Sequence, residues 1–286
     1  MLWNKSRSSD NVVESEGGGR FGFGPIHLGA GGTILAIIIA IIFPQTRGII
    51  FGLLAGDGGA PTTQQTTPAD ANDPQVQFVK HILGSTEDVW GAYFQKMGKQ
   101  YVDPKLVLFH GQVSTACGGA SAAVGPFYCP GDKQVYLDLG FFQELATRFH
   151  SNSDFARAYV IAHEIGHHVQ DQLGIMDAGQ EAHSRSAPME GANGLSVRLE
   201  LQADCFAGVW ANQSQQQLQW LQPGDVESAL NAASQIGDDT LQRESQGTVM
   251  PDSFTHGTSE QRVRWFKAGF ESGNVADCDT FKAQAL

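Results

Sequence analysis

The sequence predicts an α+β domain. Short strand-like runs come first in the folded region, long helical runs follow them, and no repeat of about 20–50 residues is visible that would make a solenoid or propeller. With 41% hydrophobic and 17% charged residues among 286, the chain has a globular composition and enough length for one large domain or two modest ones. The formal charge of −12 excludes a nucleic-acid partner, which needs a basic footprint.

Residues 1–27 are rich in Ser, Gly and Asn, carry Lys5, Arg7 and Arg20, and read as a flexible tail. Residues 28–56 hold two apolar pieces, LGAGGTILAIIIAIIF from Leu28 and GIIFGLLAG from Gly48, on either side of Pro44–Arg47. A membrane crossing takes about 20 apolar residues. The two pieces together supply a transmembrane segment if Pro44 kinks the helix and Arg47 reaches toward an interface. An apolar run that starts almost thirty residues in fits a signal anchor better than a cleaved signal peptide; a hydrophobic helix packed on the domain is the other alternative. The expected arrangement is a single-pass anchor in the cell membrane, with the basic tail inside and the bulk of the chain in the periplasm or outside the cell. Residues 57–74 (DGGAPTTQQTTPADANDP) read as a linker, and 75–286 as the folded domain.

Within the domain, Gln75 to Met97 has helical periodicity. Lys105 to His110 (KLVLFH) reads as a strand. Phe127 to Cys129 and Gln134 to Leu139 read as a hairpin across Pro130-Gly131-Asp132. Helices are expected over Phe155–Leu173, Leu195–Ala211 and Val226–Ile236, with another starting at Thr258 or Ser259.

The first of the later helices carries AYVIAHEIGHHVQ. Residues four apart share a helix face, so His163 and His167 can turn both imidazoles to one metal ion, while Glu164, about 100° round, can hold a water instead. Catalytic zinc takes three protein ligands and leaves a position for water. A third histidine in the pattern HExxHxxGxxH is missing, because Gln170 and Leu173 stand where Gly and His would be. The run RLELQAD offers Glu200 as third ligand from a second helix. Asp204, four residues on, can accept the N–H of a ligand histidine. His168 points elsewhere on its helix and reads as structural; His27, His81, His110, His150 and His183 have no helical partner at useful spacing. Near the C-terminus, FTHGTSEQRVRWF places His256 in a turn and Arg262 on the helix after it. On spacing alone these read as a helix cap and a surface ion pair, although either could donate to an oxyanion.

HEIGH followed by ELQAD resembles the HExxH…ExxAD pairing of the small gluzincins, and THGTSEQR resembles their T-H-P-x-x-x-x-R with Gly257 in place of proline. The chain is most similar to the bacterial neutral zinc metallopeptidase family, on KLVLF, CGGASAAVGPFYCP, VYLDLGFF, AYVIAHEIGHHVQ, LSVRLELQADCFAGVW, IGDDTLQ and THGTSEQRVRWF. That resemblance implies a zincin-like (minigluzincin) fold, one N-terminal membrane span, one catalytic Zn2+ on His163, His167 and Glu200, and a protein or peptide substrate. It implies roles for His256 at the oxyanion and for Arg262 beside the ligands. It also implies two disulfides outside the cytoplasm, Cys117–Cys129 and Cys205–Cys278, with reduced buried thiols as the alternative. The short loop of the first would make that bridge worth about 3 kcal/mol.

The expected chemistry is peptide hydrolysis, with Glu164 as general base toward a zinc-activated water. The substrate would lie extended on an edge strand, for which Tyr136–Leu139 is the candidate. Two other readings stand beside it: a zinc amide hydrolase acting on cell-wall material, and a non-proteolytic envelope module with structural zinc.

Overall fold

The computed structural model describes residues 1–15, 66–121, 125–148 and 153–286. The segment expected to cross the membrane, 28–56, lies outside them. Among the described residues no helix is long and apolar enough to cross a membrane.

The architecture is α+β, as expected. One mixed sheet has the order β2-β1-β3-β7-β6, with β1 at Val12–Ser15, β2 at Thr66–Pro68, β3 at Lys105–Phe109, β6 at Phe127–Cys129 and β7 at Gln134–Asp138. β3 runs parallel to both β1 and β7, and β6 folds back antiparallel on β7 with Phe127 opposite Tyr136. A small hairpin, β4 (Gln112–Thr115) with β5 (Gly118–Ser121), forms a second sheet.

The run LVLF is apolar at every position because both faces of β3 are covered. Leu106 and Leu108 enter the main core with the helices, while Val107 and Phe109 enter a smaller cluster with Val113 of the hairpin, Phe127 and Tyr136.

Eight helices occur among the described residues. They are α1 (Pro74–Lys96), α2 (Gly140–Arg148), α3 (Asp154–Gln172), α4 (Ile175–Ser184), α5 (Leu195–Leu218), α6 (Asp225–Gln235), α7 (Asp238–Gln246) and α8 (Ser259–Ser272). Their starts are written in local chemistry. Asp73 caps α1 through Gln75 N–H at 2.7 Å, with Pro74 in the first turn. Ser153 caps α3 through Ala156 N–H, and Thr258 with Gln261 forms a capping box on α8. The three helices that matter for the site pack together: α5 lies against both α3 and α8.

Two expectations are corrected here. The flexible tail is, over residues 1–15, part of the domain: Trp3–Lys5 is a helical turn, and β1 sits inside the sheet between β2 and β3. The expected linker likewise holds β2 and runs on to the first residue of α1, Pro74. Polar side chains made this segment look unstructured, but its hydrogen bonds go to the sheet and to α1. The proposed substrate strand is also displaced. β7 is interior, and β6 is the outer strand on that side among the described residues, because the hairpin across Pro130–Asp132 folds it over β7.

Candidate metal centre

α3 and α5 meet at Gly166. A β-carbon there would lie 3.0 Å from the carbonyl oxygen of Ala203, so the glycine of HEIGH lets the two helix backbones close up. That contact brings together the ligand groups predicted from spacing. His163 Nε2 lies 3.1 Å from Glu200 Oε2, and His167 Nε2 lies 3.4 Å from Glu200 Oε1. One ligand atom from each of the three residues falls within 4.8 Å of the others, close enough to surround one ion.

The other nitrogen of each imidazole is held. His163 Nδ1 lies 2.8 Å from Asp204 Oδ1, as expected for Asp204. His167 Nδ1 lies 2.9 Å from Gln170 Oε1. The amide of Gln170 donates to Leu199 O at 2.8 Å and to Gln202 Oε1 at 3.0 Å, which spends both its hydrogens and leaves the oxygen as acceptor. Each Nδ1 therefore faces an acceptor and keeps a proton, which leaves Nε2, turned toward Glu200, as the nitrogen that would bind a metal ion once its own proton is displaced.

Asp204 is fully buried and serves more than the histidine. Arg262 Nε donates to its Oδ2 at 2.8 Å and Nη2 to its Oδ1 at 2.9 Å, while Tyr159 OH donates to Oδ1 at 2.5 Å. Arg262 is thus a buried counter-ion, not the surface ion pair that spacing suggested. Burial opposes the charge on Asp204, but Arg262 and His163 hold its carboxyl at about 2. Burial also opposes a proton on His163, yet Asp204 and Glu200 raise the imidazolium to about 10. The same field favours any cation in its place. Glu200 is held well below the usual carboxylate range by His167, His256 and His163, against its own burial.

Glu164 is buried, and burial pushes its carboxyl up, partly offset by the two ligand histidines. No protein hydrogen bond engages that carboxylate among the described residues.

The charge balance fits a divalent ion. Asp204 and Arg262 cancel. The field of Glu200 favours protons on His163 and His167, and a divalent ion bound at the two Nε2 atoms would take the place of those protons and match the buried carboxylates. Two imidazoles and one carboxylate are a donor set suited to zinc.

His256 is buried on the loop before α8, where Asp238 fixes it. Asp238 Oδ2 accepts the backbone N–H groups of Thr255 and His256, each at 2.7 Å, and of Gly257 at 3.1 Å; its Oδ1 lies 3.1 Å from His256 Nδ1. The Nε2 of His256 makes no protein hydrogen bond among the described residues, and His256 is among the groups that lower the carboxyl of Glu200. Gln170, Tyr159 and Asp238 were not singled out from the sequence. His168 proves structural, with Nε2 2.8 Å from Val102 O and Nδ1 3.1 Å from Tyr128 OH. Both expected disulfides are present, and no free cysteine occurs among the described residues.

An HExxH helix with a glutamate from a second helix, on an α+β scaffold, defines the class: a candidate metal-dependent hydrolase centre. Within that class the chain belongs to the family described as "Putative neutral zinc metallopeptidase", which matches residues 1–281. It is 47% identical over 288 residues to "Uncharacterized protein YpfJ" of Escherichia coli (strain K12), covering 98% of this chain and 99% of that one. It is 42% identical over 238 residues to "Uncharacterized protein Rv2575" of Mycobacterium tuberculosis (strain ATCC 25618 / H37Rv), covering 80% of this chain and 78% of that one. No solved structure gives a significant match.

Proposed function

We propose that this chain is a zinc-dependent peptidase, anchored at a membrane through residues 28–56, with its domain on the oxidising side and a protein or peptide as substrate. The observation that carries the reading is the convergence of two Nε2 atoms and one carboxylate, with a buried acid, Glu164, whose carboxylate makes no protein hydrogen bond among the described residues. The two disulfides support the location, since such bonds persist where thiols are not kept reduced. Three donors among the described residues favour a catalytic ion over a structural one, which would be closed by a fourth.

Zinc held by His163, His167 and Glu200 would supply Lewis acidity and bring the pKa of a water it binds to about 7. Glu164 takes a proton from the attacking water and returns it to the leaving amine. Its raised carboxyl suits a group that must both accept and give. His256, fixed by Asp238, donates from Nε2 to the oxyanion, with the Thr255 hydroxyl 3.0 Å from its Nδ1. Asp204 and Gln170 keep the ligand rings in the right tautomer. β6 offers the outer strand on which an extended peptide could pair.

Glu164→Gln tests the assignment. It should retain one zinc per chain by elemental analysis and lose at least about 100-fold in cleavage of an unfolded protein mixture. Undiminished cleavage would remove Glu164 as the base. A wild-type protein that cuts muropeptides but no peptide would move the substrate to cell-wall amides.

A further inference from the structure

The residues that the sequence placed across the membrane from the domain are built into it. In β1, Val12–Glu14 pair with Leu106–Leu108 of β3, and Val13–Ser15 pair with Thr66–Pro68 of β2. Ahead of the strand, the chain is fastened along α1. Glu87 is buried, and its carboxylate takes hydrogen bonds from Arg7 Nη2 at 2.6 Å, Ser9 Oγ at 2.7 Å and Asn11 Nδ2 at 2.8 Å. Without residues 1–15 that buried charge has no counter-ion among the described residues. Ser6 Oγ donates to His81 O at 2.8 Å, and Lys5 Nζ reaches the last carbonyl oxygens around the end of α5. A β-carbon on Gly84 would lie 2.4 Å from the carbonyl oxygen of Arg7, so α1 is left bare where this segment crosses it.

Strands cannot hydrogen-bond through a hydrocarbon layer about 30 Å thick. Ser15 and Thr66 are Cα partners, so both ends of the intervening segment stand on one side of any membrane. We propose that the N-terminal segment and the candidate metal site lie on the same side of the membrane. This rests on the anchoring proposed above and replaces the tail-inside, single-pass orientation.

Two features of the sequence agree. Its apolar pieces, sixteen residues from Leu28 and nine from Gly48, are each shorter than the roughly 20 that one crossing requires, and Pro44–Arg47 divides them. The basic residues that suggested an inside tail are also spoken for. Arg7 pairs with Glu87 and Asp88, and Lys5 binds backbone carbonyls, leaving Arg20 alone before the apolar run to weigh on orientation.

The test uses the full chain in cells, with single cysteines at two exposed positions, Asp10→Cys in the N-terminal segment and Lys99→Cys in the domain. A membrane-impermeant maleimide reports the side, and an alkaline carbonate wash reports anchoring. The expected result is membrane-retained protein in which both positions react to the same extent before lysis. Reaction of both only after lysis also supports the shared side, while moving it to the cytoplasm. Reaction of one position before lysis and the other only after it overturns the inference and leaves anchoring intact. Release by carbonate overturns the anchoring, and the inference with it. As an independent reading, Glu14→Cys with Thr67→Cys, Cα partners across β1 and β2, should form an intramolecular cross-link on oxidation; its absence in folded protein counts against the shared side.

Discussion

Gln170 and Asp204 do the same work for different imidazoles: each takes the Nδ1 proton of one ligand and aims its Nε2 at the metal position. Only Asp204 was legible in the sequence, because an acid at spacing four from Glu200 on an apolar helix needs a partner. Gln170 gave no such signal. A neutral amide on a helix is ordinary, and its role appears only once Leu199 O and Gln202 have fixed which way it points. Asp238 lay within IGDDTLQ without a role, because its partners are mostly backbone N–H groups that any residue would supply. Gln170→Leu keeps the volume and removes the acceptor, freeing the ring of His167 to turn. Zinc affinity should fall about 10–100-fold in competition with a chelator, with the fold intact by circular dichroism.

Helix spacing is the quantity that decides whether these residues can share an ion. Gly166 sets it for α3 and α5. Metal–ligand distances tolerate only about ±0.2 Å, so a side chain that separates the helices by a few tenths of an ångström should cost the metal before it costs the fold. Gly166→Val should therefore lose zinc stoichiometry on dialysis while keeping most of its thermal stability. The long helices were legible from periodicity, to within a few residues at most of their ends, although Thr86-Glu87-Asp88, which resembles a helix start, falls in the middle of α1. The exception is α5, which runs on to Leu218 through a polar, Gln-rich stretch. Strand order was not legible. Phe127–Cys129 and Gln134–Asp138 were paired correctly, but nothing in either strand says which one has β3 as its second neighbour, so the outer strand was misassigned. β4 and β5 were missed because GGAS and QVST carry little apolar alternation.

At the scale of the whole molecule, burial governs the response to pH and to reductants. All five tyrosines have phenols raised above the usual value, and burial is the leading cause in each. A group that resists ionising in the fold but ionises near pH 10 when unfolded withdraws stability as pH climbs past 10. Absorbance at the phenolate band should stay low in the folded protein above pH 10 and rise together with loss of structure. A stepwise rise in protein that stays folded would contradict this. The Cys205–Cys278 bridge, with a sequence separation of 73, is worth about 4 kcal/mol in the loop-entropy picture. The double variant Cys205→Ser/Cys278→Ser should melt about 10 °C lower by calorimetry.

The position of β1 has a consequence in time. The ribosome makes Val12–Ser15 early, but β3, the inner neighbour against which it pairs, is synthesised only after Lys105. So distant a pairing pays its loop-closure entropy before it gains any contact, which slows assembly. Val12–Ser15 are thus made before the strand they pair with, and anything that occupies them in the interval would hold the sheet open.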